Sequence, residues 1–427
     1  MRPLRQNGHA GNPDAGIKIL FAFENPLPSA EADAEVFITT ARYLARLTSR
    51  ARLHVPMRDR ASCATLAEAT GLDIVRAWAP ASPAALRHLM CGLTIVCRSA
   101  FRQADLVYTR NLWIAWMAIR FGQRVVFDHY RPWPDQIPPL RRWLHRLMNH
   151  PRFILHICHS DYTRRKYLEL GVPAAKLRCI HNGFEPGRLD AIPAPAIARQ
   201  ALSIPTTART IVYTGRINQK KGLDVVIEAA RLLPDRLFIL VGSYGEGPIE
   251  EKARLLPNVR IVPFQPSEAL GQYVAAADIL LVPPSLQPLT RFGSTVLPLK
   301  LFFYLASGRP ILAGKTPDVQ EILRHEENAY LCQPDSPQAL ADAVRRLTDD
   351  PTLCARLAEA AQAESRTLTW EARATRIMTA ISERLAAAPD PVERWKTPQW
   401  RQYRHQSWRW LQHLIRTGSP ILPPSGS

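Results

Sequence analysis

Short apolar runs alternate with stretches of helical spacing along this chain, and the alternation happens twice. In the first half the runs are residues 17–23 (IKILFAF), 52–57, 105–109 (DLVYT), 124–127 (RVVF), 153–159 and 177–180. Residues 34–50, 84–101 and 112–121 lie between them with helical periodicity, and 138–150 is a further strong segment. Residues 188–207, with several Pro and Ala, interrupt the pattern. It restarts at residue 211, with strands expected at 211–213, 237–241, 259–262, 279–283, 310–313 and 329–332, and a long helix over 337–348. Such alternation implies βαβ units, and a strand as uniformly apolar as IKILFAF implies a parallel sheet covered on both faces. A chain of 427 residues also exceeds what one core usually holds. The expected organisation is a disordered start (1–16), a first α/β domain (17–190), a linker (191–208), a second α/β domain (209–371), and a helix with a basic, Trp-rich tail (372–427). The halves share a fold type rather than a sequence repeat. Ligands of open parallel sheets bind outside the carboxyl ends of the strands, which places the expected site in the groove between the domains.

Residues 211–224, IVYTGRINQKKGLD, are a strand, a glycine turn and a basic loop that opens a helix. Gly215 breaks the strand, Arg216, Lys220 and Lys221 carry charge, and LDVVIEAARLL follows at helical spacing. Backbone N–H groups, fixed cations and the positive end of a helix suit an anion, and a diphosphate is the natural occupant. Gly242, Gly245 and Gly247 suggest a second loop that a ligand approaches closely. A third helix start is expected at Pro298, with Ser294 or Thr295 as its cap and Gly293, Ser294 and Thr295 placed to meet phosphate.

Taken in order, HNGFEP (181–186), GRINQKKG, LVGSYGEGP (240–248), NVRIVPF (258–264), AAADILLVPPS (275–285) and PLKLFFYLASGRPIL (298–312) resemble the retaining family 4 (group 1) GT-B glycosyltransferases. The resemblance covers residues 150–385 well and the first 150 more loosely. It implies two Rossmann-like domains facing across a cleft, the first for the acceptor and the second for the donor, with a C-terminal helix returning to the first. It implies a nucleotide-sugar donor, a glycan, lipid-linked or small-molecule acceptor, and retention of configuration by same-face attack, with the donor phosphate oxygen taking the acceptor's proton; the sequence nominates no protein nucleophile. Arg216 and Lys221 then match the pair that holds the donor diphosphate, and Lys300 matches the lysine of the family's P-x-K-x-x-E-Y pattern. His129, after Asp128 at a strand end, matches an acid–His pair that touches the transferred sugar or the acceptor. Catalytic roles are expected for His129, Arg216 and Lys221, and donor binding for Gly215, Arg216, Lys221, Gly242, Ser294, Thr295 and Lys300. Asn182 and Gly183 are expected to form a turn first and to line the cleft second. No Asp-x-Asp lies in a suitable loop, so a metal-independent enzyme without a cofactor is expected. The family has a glutamate where Phe303 stands, and between Asp278 and Asp318 the chain has no Asp or Glu at all. A binding protein on the same scaffold that has lost catalysis is therefore a second reading.

A formal net charge of +18 favours anionic partners. Arg141, Arg142, Trp143 and Arg146 form one basic, aromatic stretch, and the tail from Glu393, with Trp395, Trp400, Trp408 and Trp410, forms another. Both are expected at an anionic membrane surface, on the inner face. No nucleic-acid motif is visible, and nucleic acid is not an expected partner. Seven scattered cysteines, with no CxxC pair, argue against a disulfide framework or a zinc site and fit a reducing cytoplasm.

Overall fold

Two parallel sheets account for the doubled alternation. The computed structural model describes residues 16–387 apart from 30, 58, 81–82, 191, 246 and 291–296. The first sheet holds β1 (Lys18–Ala22), β2 (Arg50–Pro56), β3 (Asp73–Ala77), β4 (Leu106–Thr109), β5 (Arg124–His129), β6 (Phe153–Cys158) and β7 (Leu177–Cys179), in the order β3-β2-β1-β4-β5-β6-β7. Its helices are α1 (Ala32–Ala45), α2 (Arg60–Thr70), α3 (Ala84–Val96), α4 (Ser99–Gln103), α5 (Leu112–Arg120), α6 (Trp133–Gln136), α7 (Arg141–Asn149) and α8 (Asp161–Glu169). After α9 (Pro195–Ala201), the second sheet holds β8 (Arg209–Thr214), β9 (Arg236–Ser243), β10 (Val259–Pro263), β11 (Ile279–Leu281), β12 (Ile311–Gly314) and β13 (Tyr330–Cys332), in the order β10-β9-β8-β11-β12-β13. Around it run α10 (Leu223–Arg231), α11 (Pro248–Arg254), α12 (Ser267–Ala276), α13 (Gln287–Thr290), α14 (Leu299–Ala306), α15 (Pro337–Asp349) and α16 (Pro351–Ser365). Each sheet reverses its winding beside its own first strand, between β1 and β4 and between β8 and β11. Such switch points open a crevice at the strands' carboxyl ends.

The apolar runs are continuous because both faces of each sheet are covered. In β1, Ile19 and Phe21 join the core with α1, while Leu20 and Ala22 join the core with α3 and α5. The stretch between 57 and 84, where no element is expected from sequence, holds α2 and β3. β3 is an edge strand with one buried residue of five, so its sequence DIVRA carries little apolar signal. The expected linker is not featureless either: α9 lies within it and packs on α12, with Ala198 fully buried. The expected disordered start and the Trp-rich tail lie outside the described residues, Gly16 excepted.

The last described helix, α17 (Trp370–Ala387), returns to the first sheet and packs on α1 and β6. The HNGFEP loop makes that crossing. Phe184 N–H donates to the Leu368 carbonyl at 3.1 Å, and Trp370 N–H donates to the Phe184 carbonyl at 3.2 Å. A Cβ on Gly183 would lie 2.5 Å from the carbonyl carbon of Thr369, so only glycine lets the two segments cross.

Several histidines are buried, His159 against the Asp128 carboxylate. Burial lowers the pKa of His54 to about 4, of His156 to about 3 and of His159 to about 4. For a folded pKa below the unfolded one, the unfolded state binds more protons between the two values. Stability therefore rises with pH across that window and is lost as pH falls from about 6.5 toward 4. Each such histidine contributes up to about 1.4 kcal/mol per pH unit. Urea midpoints measured from pH 7 to pH 4 should fall steadily; a flat profile would mean these imidazoles are solvated.

Candidate functional site

The second sheet's switch point gathers the basic loop. Gly215, with φ of 132°, turns the chain away from β8, and its N–H donates to the Val241 carbonyl at 2.8 Å. Ile217 N–H donates to the Gly242 carbonyl at 3.2 Å. A Cβ on Gly242 would sit 2.4 Å from the Gly215 carbonyl oxygen, and one on Gly222 would sit 2.3 Å from Ser285 Cβ. The loops after β8, β9 and β11 are thus held against one another by backbone contact. Here Gly242 sets the shape of the site, a role that its place in a glycine-containing loop suggests only weakly.

α14 brings in the third cation. Tyr304 OH bonds Thr214 N–H at 2.8 Å and Thr214 Oγ1 at 3.0 Å, which ties the helix to the end of β8. One turn earlier, Lys300 projects along the same face. Its Nζ lies 3.4 Å from the Tyr213 ring centroid and would be 3.6 Å from a Cβ on Gly215. Burial, then the charge of Lys221, holds Lys300 well below the usual lysine pKa. The Lys221 side chain is open to solvent, yet the protein around its ammonium, and then the Arg216 guanidinium, lower its pKa as well. Arg216 is exposed, and its guanidinium lies 5.1 Å from the centroid of the exposed Tyr244 ring, which itself neighbours Phe264 at 5.1 Å. Among the described residues, none of the three cations pairs with a carboxylate. Three positive charges held together without a counter-charge form a site for an anion.

Pro298 occupies the N-cap position of α14. The expected Ser294 or Thr295 cap lies outside the described residues, as does Gly293. Phe303 is buried in the core beneath the Arg188 guanidinium, at 5.0 Å.

The first sheet's switch point holds a different set of groups. Strand alternation sends Asp128 to the α17 face and His129 to the opposite one. Asp128 contacts His159 Nε2 and Tyr108 OH at 2.5 Å each and Arg373 Nη2 at 3.1 Å, all buried. The expected acid–His pair is therefore split, with Asp128 anchoring a helix. His129 Nδ1 accepts the Arg131 N–H at 3.0 Å, which leaves the proton of a neutral imidazole on Nε2. Burial first, then Arg110 and Arg131, keep it neutral. His129 touches none of the three cations among the described residues.

Sequence reasoning missed Glu24 and Arg110 in this crevice. Glu24, after β1, is 8% exposed; burial raises its pKa, Arg110 opposes the rise, and Oε2 has no partner. Its signal was an acid directly after a buried strand. Glu321 was missed too. From the turn after β12 it accepts the Asp161 and Tyr162 N–H groups at 2.7 and 3.0 Å and contacts His181 Nε2 at 2.9 Å. This contact brings the carboxyl ends of both sheets to one corner. Asn182 is 4% exposed with Oδ1 unpartnered.

A family model described as glycosyl transferases group 1 matches residues 196–364, and one described as glycosyltransferase family 4 matches residues 34–188. The chain is 28% identical over 238 residues to the amylovoran biosynthesis glycosyltransferase AmsK of Erwinia amylovora, covering 53% of this chain and 55% of that protein. It is 30% identical over 214 residues to the D-inositol 3-phosphate glycosyltransferase of Corynebacterium urealyticum, covering 46% and 48%. The chain thus spans about half the length of the curated relatives it matches. The structure of Anabaena Alr3699/HepE in complex with UDP-glucose superposes with a TM-score of 0.67 at 21% identity, over 86% of this chain and all of that one. WaaG, a glycosyltransferase of lipopolysaccharide biosynthesis, superposes with a TM-score of 0.59 at 15% identity, over 85% and 99%. These likenesses establish the two-lobed GT-B fold. With that fold beneath matches that run through both lobes, the chain belongs to the family 4-like group 1 glycosyltransferases.

Proposed function

We propose that the protein transfers a sugar from a nucleoside diphosphate donor to a hydroxyl of a glycan, lipid-linked or small-molecule acceptor, with retention and without a catalytic metal. The observation that carries this is the set Arg216, Lys221 and Lys300 at the second switch point, which pairs with no carboxylate among the described residues. Breaking the bond between the sugar and the phosphate loads negative charge on the leaving diphosphate, and cations fixed beforehand stabilise that charge most in the transition state. The acceptor oxygen bonds to the anomeric carbon on the face the diphosphate leaves, and a donor phosphate oxygen takes the acceptor proton. Neutral His129 presents its Nε2–H to a sugar hydroxyl, and Gly215 and Gly242 bring backbone close to the diphosphate. Exposed Tyr244 and Phe264 offer a face for the base. A neighbour solved with UDP-glucose supports a nucleotide-sugar donor. Thermal shifts with a panel of nucleoside diphosphates and nucleotide sugars, run beside an assay for sugar transfer, test the proposal. Stabilisation by a diphosphate and transfer from the matching sugar are expected; no stabilisation by any diphosphate ends it. Stabilisation without transfer would favour the catalytically silent binding protein, which the buried Phe303 in the glutamate position keeps in play.

A lipid-linked acceptor would be met at an anionic membrane surface. α7 turns Arg141, Arg142 and Arg146 outward but buries Trp143, so the aromatic half of the expected membrane contact is corrected. Trp113, 39% exposed and with its ring centroid 6.1 Å from that of Trp143, is the aromatic next to this face. No described helix is long and apolar enough to cross a membrane. At about 1 kcal/mol per basic residue, changing all three arginines to glutamine should weaken binding to anionic vesicles about a hundredfold. Equal flotation of parent and variant would remove α7 from any membrane role.

A further inference from the structure

Cys179 ends β7, His181 stands two residues later in the following loop, and Glu321 reaches them from the other lobe. Cys179 Sγ lies 3.7 Å from His181 Nε2, which lies 2.9 Å from Glu321 Oε2, and the three ligand atoms all fall within 4.8 Å of one another. We propose that these three side chains form a binding site for a divalent metal of borderline softness, zinc above all, that joins the two lobes. Thiolate, imidazole and carboxylate are zinc's protein ligands, at about 2.3, 2.0–2.1 and 2.0–2.2 Å from the metal. In a tetrahedron, those lengths set ligand atoms about 3.3–3.6 Å apart, so the observed separations need only small side-chain shifts. The fourth position is open to water.

The imidazole supplies the second reason. His181 Nε2 faces a sulfur and a carboxylate oxygen at once, and a single N–H can be directed to only one of them. A cation between the three atoms satisfies all of them. Glu321 is already oriented by the Asp161 and Tyr162 N–H groups, the outer-shell support that metal carboxylates need. A cysteine is a thiol at neutral pH and binds a metal as the thiolate, so the metal must displace a proton: the thiol, imidazole and carboxylate bind the dication, and one proton is released to solvent. The cysteine count argued against a zinc site because it looks for paired cysteines; here only one ligand is a cysteine, and the fold brings the third from 140 residues away. The bound metal would hold the lobes at this corner, so that opening the groove requires Glu321 to leave. It takes no part in the sugar-transfer step.

Zinc chloride added to metal-stripped full-length protein is the probe, with uptake measured against a chromophoric chelator and proton release followed in weak buffer. One equivalent should bind and release a proton, and cobalt(II) in its place should show a sulfur-to-metal charge-transfer band. Cys179→Ser and His181→Gln should each weaken zinc more than about tenfold, the least expected when even outer-shell partners cost 10–100-fold. Cys179→Ser should also abolish the cobalt band, while Cys97→Ser, at an exposed cysteine, should change nothing. If Cys179→Ser does not fold, the half-buried His181→Gln variant decides. No zinc uptake, or equal uptake by parent and His181→Gln, overturns the proposal. Neither readout depends on transferase activity.

Discussion

Replacing Arg216 with alanine should lower kcat for sugar transfer by roughly 10²–10³, the cost of removing one fixed donor from a site of developing negative charge. That is about 2.7–4 kcal/mol of transition-state stabilisation. The size follows from the arrangement. Arg216 has no carboxylate partner among the described residues, so its charge is not already neutralised, and its loop is held by the Gly215–Val241 and Ile217–Gly242 hydrogen bonds. Lys221 and Lys300 cannot take over, because an ammonium is a point charge and lacks the two-pronged fork that grips two phosphate oxygens. Arg216→Lys should therefore recover more of the diphosphate binding than of the turnover. Raising pH should weaken diphosphate binding, since Lys221 and Lys300 both have lowered pKa values and lose their charge earlier than ordinary lysines. Steady-state kinetics and diphosphate thermal shifts over a pH series read both effects. An Arg216→Ala enzyme within threefold of the parent in kcat would show that the diphosphate is stabilised elsewhere.

Replacing Arg373 with methionine should destabilise the protein by about 3–5 kcal/mol, the usual cost of removing one partner from a buried ion pair. Arg373 is 1% exposed and Asp128 2%. Burial pushes the Asp128 pKa up, but the Arg373 charge and His159 more than offset it and hold the carboxyl far below the usual range. Without the guanidinium, Asp128 either stays charged in an apolar interior or takes up a proton. Arg373 Nε and Nη1 have no partner, so the pair is not an efficient stabiliser by itself. A double variant, Asp128→Leu with Arg373→Met, should accordingly be more stable than Arg373→Met alone, because it removes the stranded charge. Since α17 carries the chain back to the first lobe, the unfolding midpoint should fall by about 6–20 °C for a domain of this size. Calorimetry of the parent and both variants measures this; an Arg373→Met midpoint unchanged from the parent would mean the network is solvated in solution.

Legibility from sequence varied with how local the cause was. The basic turn at 215–222 was visible because its glycines and cations are neighbours in the chain. β3 and α2 were not, because an edge strand and a half-buried helix need few apolar residues. Trp143 was placed wrongly because a basic, aromatic stretch was read by content alone. Helical period puts Trp143, Leu144, Leu147 and Met148 on one side, and all four are buried. Asp128 and His129 were paired on the family resemblance; as strand neighbours they face opposite ways, Asp128 toward α17 and His129 away from it.

The sequence alone determined that this chain builds two parallel α/β layers, since uniformly apolar strands separated by helical stretches have few other ways to bury both faces. It also located the phosphate-type loop, whose glycines and charges sit within one short segment. Tertiary structure alone decided which distant groups meet. Tyr304 seats α14 so that Lys300 arrives at Gly215, the return of α17 delivers Arg373 to Asp128, and the turn after β12 carries Glu321 to His181. These meetings depend on how layers pack and helices cross, and local spacing carries no record of either.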